Sequence, residues 1–191
     1  MARINYLRGR LKPGEVYRRS DLANWSKSVD RHLEELVADG TLEKLSQGVY
    51  YVPKKSAFGK TPPDEKTLVQ SFLKDDRFLL TSNNAYNSLG LGTTQLYNEQ
   101  TVYNHKRHGK FKLGNRTFSF KMNPHFPKKL TKEFLVVDLV NNLKDLAEDQ
   151  EAVLQNLKKK IPEMDKRKLQ KSVDEYGNVK TKKIFAPLIH P

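Results

Sequence analysis

The sequence has no cysteine among its 191 residues. That excludes disulfides, thiolate nucleophiles, iron–sulfur clusters and every zinc site that needs sulfur, and it suits a reducing compartment. Long apolar runs are missing too. The longest, around Phe134–Val137, is far short of a membrane span, and the opening stretch 1–10 is too polar for a signal peptide. A soluble, cytoplasmic protein with no membrane partner is expected. Acid is scarce relative to base: 35 Lys and Arg against 22 Asp and Glu leave a net charge of +13. Such a surplus points to a polyanionic partner, nucleic acid before any other. With 37% hydrophobic residues the chain still has enough apolar surface to fill a core, which excludes wholesale disorder.

Catalytic signatures are lacking as well. There is no phosphate-cradling Gly-rich loop, no metal-type His pair at helical spacing and no nucleophile elbow. Pro63-Asp64 opens a nuclease-like pattern, but no later Asp or Glu is followed two places on by Lys. His105 and His108 stand in a basic, strand-like stretch without neighbouring carboxylates, which favours solvation over metal ligation. No enzyme, cofactor or metal is expected.

What is present reads as an α+β chain: an N-terminal winged helix-turn-helix over 1–53, a linker over 54–63, and a mixed α+β domain over 64–191 that ends in helices. Ile4, Leu7 and Leu11 fall at helical spacing, and Pro13-Gly14 ends that helix. Glu15-Val16-Tyr17 suits a short strand, and Ser20 suits the N-cap of a helix carrying Leu22 and Trp25. Val29, Leu33, Leu36 and Val37 form the inner stripe of an amphipathic helix over 26–39, with Ser26 as its cap and Gly40 just past its end. Two β-prone runs, 41–45 and 49–52, flank Ser46-Gln47-Gly48 as a hairpin. Helix, strand, helix, helix, hairpin is the winged-helix order. Phe58 is placed to pin the linker onto the next domain, and Asp64 to cap the following helix. Gly90 and Gly92 end a helix and turn the chain.

With that stripe inward, Lys27, Ser28 and Arg31 lie outward on the first turns of a recognition helix, where base edges are contacted. Arg grips guanine bidentately, whereas Lys and Ser meet phosphate or act as adaptable donors. Ser26 joins this set at the helix start. Arg18 and Arg19 stand where a helix N-terminus meets the backbone, and Lys44 and Gln47 lie near the wing tip. The acids Asp30, Glu34 and Glu35 favour the rival reading of a solvated face. From Gln100 to Lys132 there is no acid at all, yet nine Lys and Arg occur, Lys106, Arg107 and Lys110 among them. Interleaved with Tyr103, Phe111, Phe118, Phe120 and Phe126, they suggest strands whose aromatics pack while the cations form a secondary phosphate contact.

Three segments carry a resemblance: Gly40-Thr-Leu-Glu-Lys-Leu-Ser-Gln-Gly-Val-Tyr-Tyr-Val-Pro53, then Phe58-Gly59, then Asn84-Ala-Tyr-Asn-Ser-Leu-Gly-Leu-Gly-Thr-Thr-Gln95. With Phe-Leu-Val-Val-Asp-Leu at 134–139 and Tyr176-Gly177-Asn178, the chain resembles the AbiEi-type antitoxins of type IV toxin–antitoxin and abortive-infection systems. The resemblance implies a winged helix that represses its own operon by binding inverted repeats in promoter double-stranded DNA, cooperatively or as a dimer. It also implies a C-terminal domain that neutralises a co-encoded nucleotidyltransferase-fold toxin, not necessarily by touching it. The rivals are a protein-docking winged helix without a toxin partner and a nuclease or nucleotidyltransferase accessory.

Overall fold

The computed structural model describes residues 2–57 and 59–190, so the role expected of Phe58 lies outside the described residues. The chain is mixed α+β. It divides into two compact units, Met1–Asp76 with Phe111–Thr117, and Arg77–Lys110 with Phe118–Pro191.

The first unit begins with α1 (Ala2–Arg10), β1 (Val16–Arg18), α2 (Arg19–Ala23) and α3 (Val29–Ala38), followed by β2 (Glu43–Ser46) and β3 (Val49–Tyr51). The three strands form an antiparallel sheet in the order β1-β3-β2. Its core joins Leu7, Leu22, Val29, Leu33, Leu36, Leu42, Tyr50 and Val52, so the inward stripe expected of α3 is buried, apart from a half-buried Val37. Gly40 has φ +77°, the left-handed conformation that lets the chain leave α3 and enter β2.

Three local expectations are corrected. Ser26 does not cap a helix: it is buried, and its hydroxyl lies 2.7 Å from His32 Nδ1, so α3 begins three residues later. Ser20 is not a cap either. Helix α2 starts at Arg19, and the Asp21 carboxylate accepts the Arg18 backbone N–H. Residues 54–63 are not a linker. They hold an antiparallel hairpin of β4 (Lys54–Ser56) and β5 (Gly59–Thr61), with the Tyr51 hydroxyl donating to the Thr61 carbonyl at 2.7 Å.

The compact unit therefore continues past residue 53, through α4 (Glu65–Leu73), whose N-cap Asp64 accepts the Thr67 N–H as expected. The segment 111–117 completes it. Gly114 N–H donates to the Leu45 carbonyl, Arg116 pairs with Glu65 at 2.9 Å, and Phe111 packs on Phe72.

A four-stranded sheet has the order β6-β7-β9-β8, from β6 (Phe78–Ser82), β7 (Glu99–Asn104), β8 (Gly109–Leu113) and β9 (Arg116–Met122); the second unit holds β6, β7 and the parts of β8 and β9 outside 111–117. A 3-10 helix, Asn83–Leu89, follows β6. Then come α5 (Lys132–Asn142), α6 (Gln150–Lys160), α7 (Lys166–Tyr176) and α8 (Val179–Ile189). Each of the four has a side-chain cap: Thr131, Asp149, Asp165 and Asn178 accept the N–H three residues on. Helix α5 is buried from Phe134 to Val140 and forms the spine of the unit's core with Leu157, Leu169 and Phe185. No helix among the described residues is long and apolar enough to cross a membrane.

Candidate nucleic-acid interface

In the first unit the expected contact residues gather around Arg19. Its backbone N–H donates to the carbonyl of Gly48 in the β2–β3 turn at 2.9 Å. Its guanidinium reaches α3, with Nε 2.6 Å and an η-nitrogen 2.5 Å from the two oxygens of Asp30. One residue thus ties the start of α2, the hairpin turn and the first turn of α3 together. The hydrogen bond and charge of Arg19 hold the Asp30 carboxyl below its ordinary pKa, and Asp30 raises that of Arg19 in return. Around this point lie exposed Lys27, Ser28 and Arg31, with exposed Lys44 and Gln47 on the hairpin.

The arginines are already engaged. Arg18 Nε donates to Asp21 at 3.1 Å, and Arg31 lies 3.5 Å from Glu35. The Arg31–Glu35 pair is largely solvent-exposed, so it is weak and a phosphate or base edge can replace the carboxylate at little cost, whereas the Arg18–Asp21 pair is half-buried. Ser26 leaves the set, because a side chain buried against His32 has no surface to offer.

The acid-free run of the second half is not one face. Lys112 and Arg116 belong to the first unit, and Arg116 is taken by Glu65. Lys110 pairs with Glu99 at 2.7 Å. Lys106 and Arg107 sit on a turn built by Asn104, a side chain only 1% exposed. Its Oδ1 accepts the N–H groups of Lys106 and Arg107 at 2.8 and 2.7 Å, while its amide donates to the Arg107 carbonyl at 3.0 Å. A fully used buried amide fixes the turn, which presents His105, Lys106, Arg107 and His108 to solvent. The aromatics pack as expected: Tyr103, Phe118 and Phe120 are buried, and Phe111 and Phe126 half-buried.

Beside this turn the second unit has a cleft of about 720 Å³, lined among others by His108, Lys121, His125, Asp138, Asn142 and Tyr176. On its floor Asp138 accepts from the Tyr103 hydroxyl at 2.5 Å, the Tyr86 hydroxyl at 2.7 Å and the Asn142 amide at 3.0 Å. Burial raises the Asp138 pKa, and it raises those of Tyr86 and Tyr103 so far that both phenols stay protonated donors. Lys121 donates to Asn142 Oδ1 at 2.7 Å and stands 5.8 Å from the Tyr103 ring centre. Sequence reasoning did not single out this network. The signal was there: Asp138 is the one charge inside an otherwise apolar stretch, 134–140. Among the described residues no group of three or more His, Asp or Glu side chains is placed to hold a metal ion.

The sequence matches the family described as a family of unknown function, DUF6088, over residues 11–173. The chain belongs to that family. No curated protein matches it. Its fold is similar to the crystal structure of the RV2827C protein from Mycobacterium tuberculosis, at 14% identity and a TM-score of 0.58, covering 99% of this chain and 75% of that one. At that identity the likeness speaks for the fold alone. It spans both compact units of this DUF6088 member.

The Gly90–Gln95 segment also has a structural explanation. Gly90 and Gly92 carry positive φ, and the N–H groups of Thr94 and Gln95 donate to the Glu148 carboxylate. These donors therefore serve the fold, in keeping with the turn expected from the two glycines.

Proposed function

We propose that this DUF6088 member binds double-stranded DNA through its first unit. In this reading the unit is a winged helix-turn-helix, with α3 as recognition helix and the β2–β3 hairpin as wing, acting on the promoter of its own operon. The observation that carries the reading is the Arg19 junction, which sets the first turn of α3 and the hairpin turn at one place. Convergence of these two elements suits a helix in the major groove with a wing on the flanking backbone. The chain's charge of +13 supports it. The antitoxin role, opposing a co-encoded nucleotidyltransferase-fold toxin, rests on the resemblance to AbiEi-type proteins.

The test is a band-shift titration of the full chain on its own promoter. Arg31→Ala is expected to weaken specific binding by about 1–3 kcal/mol if the guanidinium grips a base, with a smaller loss on random duplex. An unchanged operator affinity removes α3 as the reading element. For the antitoxin half, co-expression with a neighbouring nucleotidyltransferase-like protein is expected to relieve growth arrest, and failure to do so refutes it.

One observation favours a second reading. The outer face of α3 carries Asp30, Glu34 and Glu35 against Arg31, an acidic balance that suits docking on a protein. Salt separates the two. Phosphate-driven binding falls linearly in log affinity with log salt, whereas protein docking on this face does not follow that slope.

A further inference from the structure

The cleft of the second unit and the turn beside it combine three features. The first is a set of exposed basic and imidazole side chains: His105, Lys106, Arg107 and His108 on the Asn104 turn, with Lys128 and Lys129 on the loop before α5. The second is an aromatic platform. The exposed His105 ring stacks on Phe126, with centres 4.7 Å apart and planes 30° apart, and Phe126 in turn packs against the buried cluster of Leu79, Tyr103 and Phe134. A stacked pair anchored this way keeps one ring face toward solvent at little entropic cost. The third is the cleft itself, whose volume of about 720 Å³ lies in the range of small-ligand sites.

Basic, imidazole and acidic side chains all line the cleft. Lys121, His108 and His125 line it, and so do Asp145 and Glu175. An ammonium has three protons to donate, and Asn142 takes one from Lys121. The remaining capacity, with the two imidazoles, suits a phosphodiester, while the carboxylates and the asparagine amides suit the donors and acceptors of a base edge. Duplex DNA keeps its bases stacked and paired, so neither His105 nor the cleft would be filled by it. An unpaired strand fills both: one base on the His105 platform, its neighbour in the cleft, and the linking phosphates along Lys121 and the turn.

From this arrangement we infer that the second unit binds single-stranded nucleic acid, taking an unpaired nucleotide into the cleft. The inference is independent of duplex binding by the first unit.

The experiment uses the full chain and fluorescence anisotropy with labelled 12-nucleotide oligo(C), as RNA and as DNA, beside a random 12-base-pair duplex at the same salt. At least one single strand is expected to bind tenfold or more tighter than the duplex, and the RNA and DNA arms identify which. His105→Ala removes an exposed ring and is expected to weaken single-strand binding by about fivefold or more, the usual effect of losing one stacked base. Lys121→Gln removes the charge and is expected to weaken it about tenfold, with duplex affinity unchanged. Should Lys121→Gln not fold, as judged by circular dichroism, His105→Ala decides alone. A duplex bound as tightly as either strand overturns the inference, and so does wild-type single-strand affinity in folded His105→Ala. Arg31→Ala is expected to leave single-strand affinity intact, so failure at the operator and failure here are read separately.

Discussion

Replacing Asp138 by alanine tests whether one carboxylate holds three elements of the second unit together. The acceptor binds Tyr103 from β7, Tyr86 from the 3-10 helix and Asn142 from its own helix, at 2.5, 2.7 and 3.0 Å. Removing it strands two buried phenol donors. Each stranded donor costs about 1–3 kcal/mol, and relief from burying a carboxylate offsets part of that, so a net loss of about 2–4 kcal/mol is expected. Asp138→Asn keeps the shape and one acceptor oxygen, and a phenol oxygen can accept from the new amide, so about 1–2 kcal/mol is expected near neutral pH.

The pH dependence has a definite sign. Burial raises the folded-state pKa of Asp138 above its unfolded value. Wild-type protein therefore bears no ionisation penalty below the unfolded pKa, near 4, and loses stability as pH rises from there through the raised folded value. Asp138→Asn has no such loss, so its deficit relative to wild type should narrow as pH rises across that window. Urea unfolding of the full chain, followed by circular dichroism and tyrosine fluorescence at several pH values, reads both quantities. A loss below about 1 kcal/mol for the alanine variant, or a deficit that widens with pH, refutes the account of a buried carboxylate fixed by two phenols.

Other perturbations follow from single interactions. Ser26→Ala leaves the buried His32 Nδ1 without its partner at 2.7 Å and should cost about 1–3 kcal/mol in a urea titration; an unchanged midpoint would mean that the ring finds another partner. Gly114 has φ +62°, and a Cβ there would sit 3.1 Å from Leu45 Cδ2. Gly114→Ala should therefore cost about 1–2 kcal/mol, lowering Tm by roughly 2–8 °C, and a neutral result would remove the turn as a fixed point. Lys106→Glu with Arg107→Glu should flatten the salt dependence of single-strand binding by about 0.7 in slope for each phosphate no longer neutralised, and an unchanged slope would leave the turn outside the interface.

The elements that were legible in the sequence are those decided by local chemistry. Val29, Leu33 and Leu36 repeat at the helical period and are buried, Gly40 takes the left-handed conformation its position demands, and Asp64 caps the helix after it. The 54–61 hairpin was not legible. Both strands are wholly exposed, so they carry no alternation of apolar and polar residues, and their Lys-rich, Pro-flanked composition is that of a linker. The start of α3 escaped for a related reason. Ser26 has the chemistry of a cap, but a buried histidine six residues on offers its hydroxyl a better partner, and nothing in the spacing of Ser26 and His32 announces that choice.

Charge along the chain proved the least transferable signal, because a cation's partner is set by the fold. Nine positive residues in an acid-free run suggest one surface, yet two of them belong to the first unit, Lys110 finds Glu99 from the preceding strand, and Lys121 joins the Asp138 network. The same holds for Arg19, whose acid lies eleven residues away on α3. What distinguishes a binding cation from a structural one is therefore the cost of exchanging its present partner. Arg19, Arg31 and Lys110 face carboxylates at the exposed surface, where a phosphate competes on nearly equal terms. Lys121 is different: its partner is a neutral amide, and its positive charge also favours the ionised form of Asp138 beneath it. A ligand phosphate at Lys121 would draw that charge away from Asp138 and raise the carboxyl's pKa further. Binding in the cleft should then take up protons, and single-strand affinity should fall as pH rises through the range in which Asp138 ionises. Asp138→Asn should flatten that dependence, and an undiminished pH slope in the folded variant would refute the coupling between Lys121 and Asp138.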